Sequence, residues 1–106
     1  MNKTAVCTLL GFAAKAGKLV SGETGSRVAV QKKKAVLLIL AEDAAESTVN
    51  DFEFLAKHHR VKMVSLLTKQ ELGTVIGKSN RSVLVITDKG FAKQILLNVS
   101  GQPQDE

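Results

Sequence analysis

The segment Gly17-Lys18-Leu19-Val20-Ser21-Gly22-Glu23-Thr24 reads G-x-x-x-x-G-E-T, one residue away from the pattern G-x-x-x-x-G-K-[ST] that cradles nucleoside triphosphates. That difference removes the chemistry. The lysine of the full pattern reaches the β and γ phosphates, and a glutamate in its place repels them; the residues before Gly17 also read as helix, where the pattern needs a strand. Nucleotide hydrolysis is rejected on both counts. Glu42 and Asp43 close an apolar run at the position where open α/β sheets place ligands, so a general-acid/base pair is one reading. Adjacent residues on a strand face opposite ways, however, and a polar loop with acids near the positive end of the following helix is the favoured reading. His58 and His59 stand side by side at a helix end, where they complement the dipole better than they hold a metal. Cys7 has no partner for a disulfide and no ligand spacing for zinc, and is read as a buried helix residue. No Ser, Cys, His and acid spacing suggests a nucleophilic triad. The expectation is a chain with no catalytic residues, no metal and no cofactor.

Charge is the remaining signal. Fifteen Lys and Arg stand against ten Asp and Glu in 106 residues, a formal net charge of +5, and the isoelectric point is near 9.6. Such a balance biases a small protein toward polyanions. The stretch from Met1 to Lys34 carries seven bases against Glu23 alone, and the rest of the chain carries eight bases against nine acids. The excess therefore lies in the first third of the chain.

The elements that position these residues follow from apolar spacing. Val6, Leu9, Leu10 and Ala13 fall on one face of a helix over residues 4–16, which Gly17 ends. Residues 22–26 are small and polar, and suit a turn into a second helix running through Lys32, with Ser21 or Thr24 as its cap. Residues 36–40 are continuously apolar, the pattern of a strand covered on both faces, although a buried helix segment reads the same way. Ala45, Val49, Phe52 and Ala56 mark a third helical face. A strand over residues 62–66 leads to Thr68-Lys69-Gln70-Glu71, the spacing of a capping box, and a short helix to about Gly77. Residues 82–87 form a last strand, and Phe91, Ile95 and Val99 a last helix. Residues 1–99 read as one domain and residues 100–106 as a polar, frayed tail. Alternation of helix and strand implies parallel pairings and right-handed crossovers within an α/β fold. The expected architecture is a three-layer α/β/α sandwich with a small mixed four-stranded sheet. With 44% hydrophobic residues, one core is supported. The longest apolar run, residues 35–41, is too short for a membrane span, and no leader pattern precedes it; a cytoplasmic protein is expected.

With no Trp, no Tyr and four Phe, at least two of them on apolar helix faces, aromatic stacking of RNA bases is not expected. Shape and backbone recognition remains, in which glycines allow close approach, helix-start N–H groups meet phosphates or base edges, and cations neutralise charge. Gly22, Glu23, Thr24, Gly25, Ser26 and Arg27 offer the first two. Lys15, Lys18, Lys32 and Lys33, with Lys34 beside them, flank that segment and offer the third. The plain alternative for Lys32, Lys33 and Lys34 is a solvated helix C-terminus favoured by its dipole.

The run from Leu9-Leu10-Gly11-Phe12 through Gly17-Lys18-Leu19-Val20-Ser21-Gly22, then Leu38-Ile39-Leu40-Ala41-Glu42-Asp43-Ala44, then Thr68-Lys69-Gln70-Glu71-Leu72-Gly73, then Thr87-Asp88-Lys89-Gly90-Phe91-Ala92, resembles the bacterial YlxQ-like branch of the kink-turn-binding ribosomal proteins, the large-subunit seven-Ae and thirty-e family. The resemblance spans roughly residues 3–97. It implies an α/β/α sandwich and binding to structured RNA. In that family a Gly-x-Asn-Glu-x-x-Lys motif opens the second helix and reads the sheared G·A pairs of kinked RNA. Counted back from Ala41-Glu42-Asp43, the motif glycine is Gly22, while Thr24, Gly25 and Val28 stand at the Asn, Glu and Lys positions. Only the glycine matches, and Arg27 adjoins the missing lysine. The family's other contact loop corresponds to residues 77–82, where relatives present apolar residues and this chain has Lys78, Asn80 and Arg81.

The sequence thus points to a non-catalytic, monomeric binder of structured RNA, kink-turn RNA included, with ribosome-associated proteins as further candidate partners. The alternative is a protein-interaction adaptor of the ribosome or transcription machinery that keeps the fold and has lost specific RNA contacts.

Overall fold

Two continuous apolar stretches decide the architecture. Leu37–Leu40 (β2) and Val83–Ile86 (β4) are buried at every position, which a strand achieves when both its faces are covered. In the computed structural model, which describes residues 1–100, the remaining elements are α1 (Lys3–Lys15), β1 (Leu19–Ser21), α2 (Glu23–Gln31), α3 (Glu46–His59), β3 (Lys62–Ser65), α4 (Lys69–Val75) and α5 (Lys89–Ser100). Ser100, the first residue of the expected tail, closes α5; the rest of that expectation, residues 101–106, lies outside the described residues.

The strands form one mixed sheet in the order β1-β4-β2-β3. β2 and β3 are parallel, with Leu37 beside Lys62 and Leu40 beside Ser65. β4 is antiparallel to both its neighbours, pairing Ile86 with Leu37 on one side and with Leu19 on the other. The parallel pairing implied by helix–strand alternation is thus confined to β2 and β3. β1 and β2 do run in the same sense, but β4 lies between them and takes their hydrogen bonds.

Alternate residues of the central strands feed two cores, because successive side chains leave a strand on opposite faces. Leu37, Ile39, Leu84 and Ile86 pack with Val6, Leu10 and Ala13 of α1, Leu72 of α4 and Ile95 of α5. Leu38, Leu40, Val83 and Val85 pack with Ala29 and Val30 of α2 and Phe52 and Leu55 of α3. The result is a three-layer α/β/α sandwich, and each fully buried Leu contributes about 1.5–3 kcal/mol by removal from water. Cys7 is only half-buried against the first core, not enclosed; burial pushes its thiol above the ordinary value. Ala45 is the N-cap of α3 and is exposed, while Phe52 and Ala56 of the same predicted face are buried.

The capping box at α4 is formed as its spacing requires. Thr68 Oγ1 accepts from the Glu71 N–H at 3.1 Å, and Glu71 Oε1 accepts from the Thr68 N–H at 2.9 Å. Lys3 forms an ion pair with the same carboxylate and joins α1 to α4. The Lys3 ammonium and, after it, the Thr68 N–H hold the Glu71 carboxyl below its ordinary range, and Glu71 in turn raises Lys3. Among the described residues, no helix is long and apolar enough to cross a membrane.

The registers give the sheet two ends. Leu19, Leu37, Lys62 and Ile86 share one row, and the strands leave in the other direction through Ser21, Leu40, Ser65 and Val83. We call the second the near pole and the first the far pole.

Candidate nucleic-acid interface

At the near pole the chain turns from β1 into α2 without an intervening loop. Gly22 is the N-cap, with φ 90° and ψ 161°, a conformation that a side chain opposes. Its N–H donates to Val83 O at 3.0 Å, which pins the helix start to β4. Neither Ser21 nor Thr24 caps the helix as expected, because the N-cap is the glycine and no side chain bonds the first turn. The N–H groups of residues 23–25 consequently have no partner within the helix, and with the helix dipole they favour an anion. Gly25 allows α2 to lie against β1: a Cβ there would sit 2.9 Å from Val20 Cγ1.

Arg81 faces this helix start. Its Nε donates to Ser21 Oγ at 3.3 Å, and one terminal nitrogen donates to Ser79 O, Ser79 Oγ and Asn80 O at 3.2, 2.9 and 3.0 Å. The guanidinium therefore fastens the loop before β4 onto β1. It belongs to neither of the two ion pairs found among the described residues. Ser21, residues 22–25 and residues 80–82 line an open groove of about 350 Å³ between α2 and that loop. The site contains helix-start N–H groups, one fixed cation, the Glu23 carboxylate and four small polar side chains, Ser21, Thr24, Asn80 and Ser82. It can accept phosphate oxygens or the edges of bases; nothing in it is arranged to move protons or attack a carbonyl.

Other residues expected here point elsewhere. Ser26 is wholly buried and its hydroxyl has no hydrogen-bond partner, so it cannot meet a ligand without unfolding the helix. The Arg27 guanidinium bonds Asp51 at 3.3 Å and lies 5.2 Å above the Phe52 ring; it is committed to α3 and does not substitute for the lysine whose position Val28 holds. Val28 itself is 41% exposed. The Glu23 carboxylate accepts from Thr48 Oγ1 at 3.2 Å. Asp43 serves a different helix from the one expected: it accepts from the Lys69 N–H at 2.8 Å, at the start of α4 and not of α3. Lys78 is exposed in the loop beside the groove.

The larger correction concerns charge. Lys18 O accepts from Thr87 N–H beyond the far end of β4, whereas Gly22 meets Val83 at the near end; four strand residues span about 13 Å. Lys15 and Lys18 precede β1, and Lys32 and Lys33 follow α2, so all four lie at the far pole, away from Gly22. Residues 15–18, 31–36, 57–62 and 87–90, which meet the far row, hold nine bases and one acid. The near-pole segments 21–25, 41–46, 66–69 and 78–82 hold three bases and four acids. The single cationic end expected from the sequence is divided, and the groove at Gly22 is close to neutral.

Residues 4–96 match the Ribosomal protein L7Ae/L30e/S12e/Gadd45 family. The chain belongs to this family. Two relatives, each called RNA-binding protein YlxQ, are similar over nearly the whole domain. The one from Enterococcus faecium is 33% identical over 93 residues, covering 88% of this chain and 89% of the relative. The one from Bacillus subtilis (strain 168) is 34% identical over 88 residues, covering 83% and 88%. Among solved structures, a protein of unknown function from Bacillus halodurans C superposes with a TM-score of 0.86 at 30% identity, covering 90% of this chain and 96% of that one. The Giardia lamblia 15.5kD RNA binding protein shares the fold, with a TM-score of 0.78 at 20% identity and coverage of 93% and 85%.

Sequence reasoning placed Ser82 inside the contact loop without naming it as a site residue, and missed the role of Ser21 as the anchor of Arg81. It also set aside all aromatic stacking, yet Phe12 and Phe54 are 56% and 70% exposed. A Phe54 ring at i beside a His58 ring at i+4 was a legible signal, since that spacing makes helical neighbours.

Proposed function

We propose that this chain binds structured RNA at the near pole, without catalysis, and that the groove between the α2 start and Arg81 is where the RNA sits. One observation carries the proposal: an uncapped helix N-terminus and a guanidinium with no carboxylate partner among the described residues line the same groove. The names of the two YlxQ relatives support RNA as the ligand. A kinked RNA, whose backbone turns sharply and exposes base edges, suits a nearly neutral groove better than a regular duplex does, because recognition there depends on N–H groups and shape more than on charge. Ribosomal RNA or another non-coding RNA is the expected source, bound by a cytoplasmic monomer.

The test is a titration against a kink-turn RNA and an unkinked duplex of equal length at two salt concentrations. The kinked RNA should bind more tightly, and Arg81→Ala should remove the preference. Equal affinity for both RNAs, unchanged in Arg81→Ala, overturns the assignment. The four acids of the near pole favour one rival, an adaptor that binds a protein of the ribosome or transcription machinery. Partners that co-purify equally before and after ribonuclease treatment would establish it.

A further inference from the structure

We infer that the far pole is a second, separate RNA site, one that takes an unpaired stretch of RNA with phosphates against Lys33, Arg60 and Lys89 and a base stacked on the Phe54–His58 pair. This goes beyond the near-pole groove and does not depend on it. A cavity of about 730 Å³ opens there between the ends of α2 and α3 and the start of α5, with Lys33, His58, Arg60 and Lys89 among its lining residues over an apolar base that includes Val30 and Val36. Its size lies within the roughly 300–1,000 Å³ of sites that hold small organic ligands.

Neither ion pair among the described residues uses any of the nine bases at this pole. The one acid, Asp88, turns its carboxylate to the Phe91 N–H at 2.9 Å and caps α5. Helix dipoles explain part of the charge, since α1, α2 and α3 all deliver their C-terminal ends here. They do not explain an exposed phenyl ring beside it. Phe54 is 70% exposed, and its ring lies 6.0 Å from that of His58 at 11° between planes. The carboxylates of an acidic polypeptide gain nothing from those faces, whereas an unpaired base stacks on them.

The backbone adds an independent point. Lys33 and Arg60 both adopt left-handed φ, 61° and 59°, in the turns that end α2 and α3; in the matching turns after α1 and α4 the same position is Gly17 or Gly77. Two long cations thus occupy positions where the turn itself prefers glycine, and both line the same cavity.

The experiment measures binding of a fluorescent twelve-nucleotide oligoadenylate to the full chain by anisotropy, at several salt concentrations. One variant combines Lys33→Asn, Arg60→Asn and Lys89→Gln; asparagine tolerates the left-handed turn, so unchanged melting verifies the fold. This variant should bind at least tenfold more weakly, with a log–log salt slope shallower by about 0.7 for each phosphate contact removed. Phe54→Ala should weaken binding by about fivefold to a hundredfold, the range for loss of one stacked base. Lys93→Gln, a surface charge outside both poles, should change nothing. Oligoadenylate binding lost in Arg81→Ala but kept in the triple variant would put the RNA in the near groove and overturn the inference. So would equal competition by polyglutamate, which would make the far pole a docking surface for acidic protein, and so would full binding by Phe54→Ala. The kink-turn titration fails or succeeds through Arg81, so the two readings fall separately.

Discussion

Replacing Gly73 by alanine should damage the loop that carries Arg81, although Gly73 lies outside the groove. A Cβ on this buried α4 residue would lie 2.1 Å from Ser79 O, 2.6 Å from Ser79 C and 3.0 Å from Lys78 O. Ordinary contact begins near 3.4 Å, so the Ser79 carbonyl must retreat by more than an ångström. It has little freedom to do so. Lys78 N–H donates to Gly73 O at 2.8 Å, Arg81 N–H donates to Lys69 O at 3.1 Å, and Ser79 O holds the guanidinium. Overpacking of this kind costs about 1–3 kcal/mol, while alanine recovers about 0.8–1.0 kcal/mol of helix propensity. The net loss is up to about 2 kcal/mol, and melting should fall by roughly 4–8 °C for each kcal/mol. Gly11→Ala is the internal control: its Cβ would meet Val75 O at 3.3 Å, a contact only slightly too tight, and propensity should offset it. Thermal melting by circular dichroism and hydrogen exchange at the Lys78 and Arg81 amides would read the effect. Wild-type melting in Gly73→Ala with both amides still protected would refute the reasoning.

Ser26→Ala should stabilise the fold by about 1 kcal/mol or more, because a buried hydroxyl without a partner carries an uncompensated desolvation cost of about 1–3 kcal/mol; a lower urea midpoint in the variant would contradict this. Phe52→Ala should cost about 3–5 kcal/mol, since Phe52 is fully buried where α3 packs on α2 and the sheet, and also lies beneath Arg27; chemical denaturation measures it. The Glu71 carboxyl is held below its ordinary value of 4.5 in the folded state, so its stabilising effect is complete above that value and is lost as pH falls through the depressed folded value. Glu71→Gln should therefore flatten the acid limb of melting temperature against pH, and an unchanged limb would count against the Lys3–Glu71–Thr68 contact.

Much of the fold was legible because its determinants are local. The continuous apolar runs of β2 and β4 could be satisfied only between two helical layers, and Thr68 and Glu71 announce α4 three residues apart. Residues 22–26 read as a turn into α2, whereas the helix already begins at Glu23; its cap was missed as well, because a glycine N-cap leaves no side-chain signature. The distribution of charge was misread for a geometric reason. Lys18 and Gly22 are close in sequence, yet β1 runs between them and sets them at opposite ends of the sheet; α2 then carries the chain back along its own length before Lys32 appears. Five of the seven bases in the first third of the chain were thereby gathered at one pole while Gly22 and Gly25 stayed at the other. The bases at residues 57–62 and Lys89 join them only because the registers align the ends of α2 and α3 with the start of α5.

The strand order bears on how the molecule is made. β4 is the last strand to leave the ribosome and the only one that touches both β1 and β2. Until residues 83–86 emerge, β1 has no neighbour, and one flank of the apolar β2 is open to other chains. Such open flanks invite association between nascent polypeptides. The hazard for this small protein therefore lasts until residues 83–86 have cleared the ribosome, and ends when that strand slots between two that were already waiting.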